Sequence, residues 1–265
     1  MVGGIMQQER NKPVALITGA RQGLGKASAL CMAKKGFDLV LMDLIEDSKA
    51  KETIEELVAL GASVKFVQAD LANVENHKNI INEAWNCFGG IDCLVNNAGV
   101  AARPLTDILD LSFDAFDFSL NINLRGSFFL TQAFANKLLV EKKSDFYRSV
   151  IFVTSIAAEH VSIDRSQYCI SKAGLSMVSK LFAVRLAKEN VHVHEVRPGF
   201  IETEMTASAN TDKIDAYIES GGVPLRRWGK ADDVGKLIAG LSSGEFPYLN
   251  GQAIYVDGAF HIPTA

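Results

Sequence analysis

Short apolar runs alternate with longer stretches of helical periodicity along almost the whole chain. Residues 13–18 (PVALIT), 37–43, 63–68, 91–95, 149–155, 191–196 and 251–256 read as strands, the most continuous of them as buried ones. Between them, residues 26–36, 47–61, 73–88, 106–141, 165–189 and 232–241 place apolar side chains at helical spacing. Asn73 is the expected N-cap of its helix, and Asp232 and Asp233 bring negative charge to the positive end of theirs. The long pattern at 106–141 breaks near 121–126 (NINLRG), where Asn121 and Asn123 set amides among apolar neighbours. Buried amides need partners, and a water held at a helix kink would supply one. Residues 200–229 differ from the rest. Met205, Ile214, Tyr217 and Trp228 lie there among polar residues and Gly221-Gly222, as expected of a mobile substrate lid.

This alternation over 265 residues predicts one large α/β domain at 13–265, preceded by a loose tail at 1–12. Hydrophobic residues make up 48%, enough for a core between a sheet and two helix layers. The net charge of −4 leaves no basic footprint for nucleic acid. No run reaches the ~18 apolar residues of a membrane span, and the tail lacks the apolar centre of a secretory signal. Cys31, Cys87, Cys93 and Cys169 have no ligand-like spacing, which predicts free thiols in a reducing compartment, the cytoplasm. His192 and His194 share a strand face with no third ligand in view, so structural histidines are expected rather than a metal site.

The first strand runs into Gly19-Ala20-Arg21-Gln22-Gly23-Leu24-Gly25 and then a helix. Strand, glycine-rich turn and helix are the setting a dinucleotide pyrophosphate requires, with backbone N–H groups close at a positive helix end. Asp43 ends the second strand eighteen residues after Gly25, near the ~20 expected of a ribose-binding carboxylate. Such a carboxylate accepts from the ribose hydroxyls and repels a 2′-phosphate. Leu44 follows where a basic residue would favour NADP, so NAD is the expected cofactor. Arg21, able to reach a phosphate, argues the other way. Asp70 and Leu71 are expected beside the adenine, and Asn96-Asn97-Ala98-Gly99 offers small residues at a strand end for close approach of the cofactor.

Tyr168 and Lys172 stand four residues apart, on one face of the predicted helix at 165–189, and Ser155 closes an apolar strand. A lysine ammonium within about 4–6 Å would pull the phenol pKa down by roughly 1–3 units from ~10. The phenol could then exchange a proton with a carbonyl oxygen held by Ser155, with a kink-bound water near Asn123 linking Lys172 to solvent.

Taken together, Thr18-Gly-x-x-x-Gly23-x-Gly25, Asn96-Asn-Ala-Gly99, Asn123, Ser155, Tyr168-x-x-x-Lys172, Pro198-Gly199 and the segment 251–258 resemble the short-chain dehydrogenase/reductase family, most of all its 3-oxoacyl-acyl-carrier-protein reductase branch. The resemblance implies a single Rossmann-type three-layer domain with a seven-stranded parallel sheet of order 3-2-1-4-5-6-7 and helices on both faces. It implies a catalytic tetrad on Asn123, Ser155, Tyr168 and Lys172. Asn97 to Gly99, with Pro198, Gly199, Ile201 and Thr203, would line the nicotinamide half of the cofactor. A homotetramer is implied, pairing through the helices that hold Asn123 and Tyr168 and through the last strand. The reading that follows is an NAD(H)-dependent oxidoreductase of a small carbonyl or secondary-alcohol substrate. The alternatives are an NADPH-dependent 3-oxoacyl-acyl-carrier-protein reductase and, from another class, a non-catalytic dinucleotide sensor.

Overall fold

The structure, a computed structural model, describes residues 10–141, 144–207 and 211–263. Strands β1 (Val14–Thr18), β2 (Asp38–Asp43), β3 (Val64–Gln68), β4 (Cys93–Asn96), β5 (Arg148–Val153) and β6 (Val191–Pro198) alternate with helices α1 (Gly23–Lys34), α2 (Ser48–Ala59), α3 (His77–Asn86), α4 (Phe113–Leu120), α5 (Ser127–Val140) and α6 (Ser166–Leu186). A two-residue strand β7 (Ile201–Glu202), short helices α7 (Glu204–Ala207) and α8 (Thr211–Glu219), strand β8 (Gly229–Lys230), helix α9 (Ala231–Ser242) and strand β9 (Ala253–Val256) follow. The main sheet is wholly parallel, in the order β3-β2-β1-β4-β5-β6-β9, which is the expected 3-2-1-4-5-6-7 with β9 as seventh strand.

Helices on both faces explain why the central strands read as continuous apolar runs. Alternate residues of one strand feed two cores. Leu16, Val40, Leu94 and Val150 pack with Trp85 of α3, Phe134 of α5 and Leu175 of α6. Their neighbours Ile17, Leu41, Val95 and Ile151 pack with Met32 of α1, Leu57 of α2 and Ile238 of α9. The order reverses between β1 and β4, and ligands of such sheets bind beyond the carboxyl ends of the strands at that point.

Several boundaries differ from the sequence expectation, each for a local reason. Residues 106–112 are not helical: Asp107 Oδ1 accepts from Leu109 N at 2.9 Å, a side-chain turn that competes with the helix. The helix begins at Phe113, capped by Ser112. The expected break is a π-helical turn over Asn121–Gly126. Asn73 caps nothing; a 3-10 turn, Val74–Asn76, precedes α3, whose His77 ring meets the Leu71 carbonyl at 3.0 Å. Helix α1 starts at Gly23, inside the glycine turn rather than after it. The described residues start at Arg10. Arg10 pairs at 2.7 Å with Asp92, a fully buried carboxylate that also accepts from Val14 N; residues 1–9 lie outside the described residues.

Rings anchor the described parts of the segment 200–229. Phe200 lies 5.3 Å from Phe260 and 6.1 Å from Trp228, and Tyr217 lies 6.0 Å from Phe260 (centroid distances). Asp215 accepts from the Trp228 indole at 2.6 Å.

Candidate active site

The turn after β1 owes its shape to two close approaches. Gly19 adopts φ +64°, and a Cβ there would stand 2.8 Å from Ala98 Cα. A Cβ on Gly25 would meet the Gly19 carbonyl oxygen at 2.1 Å, so α1 can lie this close to β1 only with glycine. The ends of β1 and β4 are sewn together: Asn97 Nδ2 donates to Thr18 O at 2.9 Å and to Gly19 O at 3.1 Å. The Thr18 hydroxyl accepts from the backbone N–H of Asn97 and Ala98. Helix α1 has no side-chain cap and no acid in its first turn. Its leading N–H groups are therefore left to an anion in the cleft, which is what a dinucleotide pyrophosphate would use.

That cleft, about 400 Å³, is lined at one end by Arg21, Gln22, Gly23, Leu24, Asp43, Leu44, Asp70 and Leu71. At the other end are Gly99, Ser155, Tyr168, Lys172, Pro198, Gly199, Ile201 and Thr203, with Gly19, Asn97 and Ala98 between. Gly25 and Asn123 are the expected site residues that do not line it. Gly25 packs beneath the turn, and Asn123 is fully buried behind the wall. Asn123 Oδ1 accepts from Val100 N at 2.8 Å, while Nδ2 donates to Val100 O and to Ser171 Oγ at 3.0 and 3.1 Å. Both amide donors are thus spent on tying the Gly99-Val100 wall to α6. A bridging water at the π-turn could use only the remaining lone pair of Oδ1 or the backbone.

At the adenosine end Asp43 accepts from Arg21 N at 3.1 Å and Leu44 N at 2.9 Å. At the opposite end Tyr168 and Lys172 project from the same face of α6. Lys172 Nζ donates to Val153 O at 3.0 Å and sits 5.6 Å from the Tyr168 ring centroid. Ser155 lies beside the phenol and favours its ionised form, and its Oγ accepts from Ala157 N at 3.1 Å. Burial pushes the Tyr168 phenol above its ordinary value, and Ser155 pulls it partly back. The same burial brings the Lys172 ammonium down to about 8. This corrects the expectation that the lysine would lower the phenol: desolvation is the larger influence on both groups.

The buried ammonium has a consequence for stability. Lysine stays protonated up to 10.5 when unfolded but only to about 8 when folded, so the unfolded chain binds more protons between those values. Stability from this group rises with pH across that window, and below pH 8 the charge costs the fold roughly 3 kcal/mol. Lys172→Met keeps the shape and forfeits about 1 kcal/mol for the Val153 carbonyl. The variant should melt a few degrees above wild type at pH 7, the gap closing by pH 10. A gap equal at both pH values would show that charge is not what the substitution relieves.

Sequence reasoning missed a second layer. Glu195 and Arg197, both buried in β6, pair at 2.6 Å. Glu195 accepts from Thr154 Oγ1 at 2.8 Å, and Arg197 reaches Glu159 and the Tyr255 hydroxyl, each at 2.5 Å. The turn carrying Ser155 is thereby held at both ends. Two charges inside an apolar strand run were the available signal. Tyr147 stacks on His192 at 4.6 Å and its hydroxyl meets His194, whose burial takes it down to about 4. Among the described residues no three His, Cys, Asp or Glu side chains are grouped to hold a metal, and no helix is long and apolar enough to cross a membrane. The four cysteines are free.

A family model described as enoyl-(acyl carrier protein) reductase matches residues 19–261. The chain belongs to the short-chain dehydrogenase/reductase family. It is 31% identical over 94% of its length to the 3-oxoacyl-[acyl-carrier-protein] reductase FabG of Staphylococcus epidermidis, covering 98% of that protein. To the 2-dehydro-3-deoxy-D-gluconate 5-dehydrogenase of Escherichia coli it is 33% identical, over 93% of this chain and 94% of the other. Among solved structures, a 3-oxoacyl-[acyl-carrier protein] reductase from Brucella melitensis in complex with NAD superposes with a TM-score of 0.94. The two are 44% identical over 97% of this chain and all of that one. The protein is therefore an oxidoreductase of this family acting on a CH–OH or carbonyl substrate, most like the 3-oxoacyl-acyl-carrier-protein reductases. The family binds a nicotinamide dinucleotide, and the uncapped helix start and glycine turn fit one.

Proposed function

We propose that the protein is an NAD(H)-dependent oxidoreductase that interconverts a secondary alcohol and its carbonyl, with Tyr168 as the acid or base. The observation that carries this reading is the single cleft with Asp43 at one end and Ser155, Tyr168 and Lys172 at the other. When bound, the nicotinamide supplies the hydride chemistry; the remaining work falls to the chain. Asp43 accepts from the adenosine ribose hydroxyls and repels a 2′-phosphate. Ser155 holds the substrate oxygen. Tyr168 Oη gives that oxygen a proton in reduction and takes it back in oxidation, and Lys172 Nζ favours the phenolate whenever it carries charge. Asn123 is a positioning residue for the wall and for α6. Residues 200–229 serve as the substrate lid.

The four free thiols accord with the cytoplasm as the proposed compartment. Phe113, Phe118, Phe129, Ile170, Met177, Leu181 and Val184 are exposed on the stretch from α4 to α6. These apolar faces support a homotetramer built through them.

A second reading, an NADPH-dependent 3-oxoacyl-acyl-carrier-protein reductase, is favoured by the names of the relatives. Following absorbance decay with NADH and NADPH in parallel, over a panel of ketones, keto acids and 3-oxoacyl thioesters, separates the two. At least tenfold faster turnover with NADH is expected. Equal or faster turnover with NADPH would contradict the role given to Asp43.

A further inference from the structure

Asp43 cannot by itself account for a preference against NADP while an arginine lines the same end of the cleft. A guanidinium is well matched to a phosphate, and Arg21 sits in the glycine turn, its backbone N–H already on Asp43. The geometry shows where its charge goes. Arg21 Nη1 pairs with Asp47 Oδ2 at 2.5 Å. The buried Nε has no hydrogen-bond partner and stands 4.0 Å from Asp43 Oδ1. The backbone is held as well: the buried Thr53 of α2 donates its hydroxyl to Arg21 O at 2.9 Å. Asp47 is itself fixed, because it is the N-cap of α2 and its Oδ1 accepts from Ala50 N at 3.2 Å. One carboxylate thus starts the helix with one oxygen and restrains the turn's arginine with the other.

We propose that Asp47 is a cofactor-specificity residue: it holds the Arg21 guanidinium on the start of α2 and so denies a 2′-phosphate its cationic partner. This rests on the reading of Asp43 as the ribose carboxylate and adds a second determinant to it. NADP is refused twice, by a carboxylate that repels the phosphate and by an arginine that is already engaged. Release of the clamp frees Nη1 to turn to a 2′-phosphate, while Nε already stands 4.0 Å from the Asp43 carboxylate.

Asp47→Ser tests the idea because serine keeps the cap but is too short to hold the guanidinium. Equilibrium titrations of the full-length protein with NADH and NADPH, followed by calorimetry, need no substrate. Asp47→Ser should bind NADPH about tenfold more tightly than wild type, with NADH affinity changed less than twofold. In an Arg21→Ala background the same substitution should bring no gain. An unchanged NADPH affinity in Asp47→Ser, or a gain that persists without Arg21, would overturn the proposal. Should the serine variant not fold, Asp47→Asn keeps the cap and removes the charge, with a smaller gain in the same direction expected and no gain counting against the clamp. Wild-type protein that binds NADPH as tightly as NADH would sink the NAD reading alone, since the Arg21-dependent step is measured separately.

Discussion

Tyr168→Phe is expected to lower kcat about 10³-fold, within the ~10²–10⁴ range of a lost general acid or base, while NADH affinity stays within about twofold. The ring, its burial and its packing against Lys172 are kept; only the hydroxyl beside Ser155 is removed. In energy the loss is roughly 4 kcal/mol of transition-state stabilisation. The split between the two readouts matters. A phenol that merely shaped the cleft would weaken cofactor binding and turnover together, whereas one that exchanges a proton affects turnover alone. Activity with the best substrate of the panel, beside a direct NADH titration, makes the comparison. Unchanged turnover would remove Tyr168 from the chemistry.

Gly25→Val should be the most damaging single change to the fold at the cofactor end. The added carbon would lie 2.1 Å from Gly19 O, 2.7 Å from Asn97 Nδ2 and 2.8 Å from Ala20 Cα. Two of these are backbone atoms and the third is an amide committed to β1, so relief requires α1 to move off the strand. A cost of about 3 kcal/mol or more follows, which for a domain of this size is a fall in Tm of roughly 6–12 °C, together with loss of NADH binding. Gly36→Ala is the contrast. That glycine has φ +87° but nothing within 4 Å of the added carbon, so only backbone strain of roughly 1–2 kcal/mol applies. Equal losses from the two variants would show that the close approach at Gly25 is not what matters.

The strands and the glycine turn were legible because the physics that forms them is local. A strand covered on both faces must be a continuous apolar run, and a turn that brings α1 against β1 must carry glycine. That Tyr168 and Lys172 share one helix face was legible from their four-residue spacing, and the glycine turn upstream is what gave that pair weight as a site. The pairing of Arg21 with Asp47 was not, since it depends on where α2 docks. Nor was the Arg197 cluster, whose partners Glu159 and Tyr255 come from distant parts of the chain. The cap expected at Asn73 failed because the chain first turns on Asp70, whose Oδ1 accepts from Ala72 N at 2.8 Å. The electrostatics of the phenol were misjudged for a related reason. Spacing gives the proximity of a lysine, but only the folded chain shows how thoroughly both groups are removed from water.

The most direct test of the whole account is a crystal structure of the protein with NAD⁺. Adenosine ribose hydroxyls are expected on the Asp43 carboxylate, the pyrophosphate on the first N–H groups of α1, and the nicotinamide face turned toward the Tyr168 hydroxyl. A dinucleotide bound in the reverse sense, or a Tyr168 hydroxyl pointing away from the ring with no path back, would contradict it.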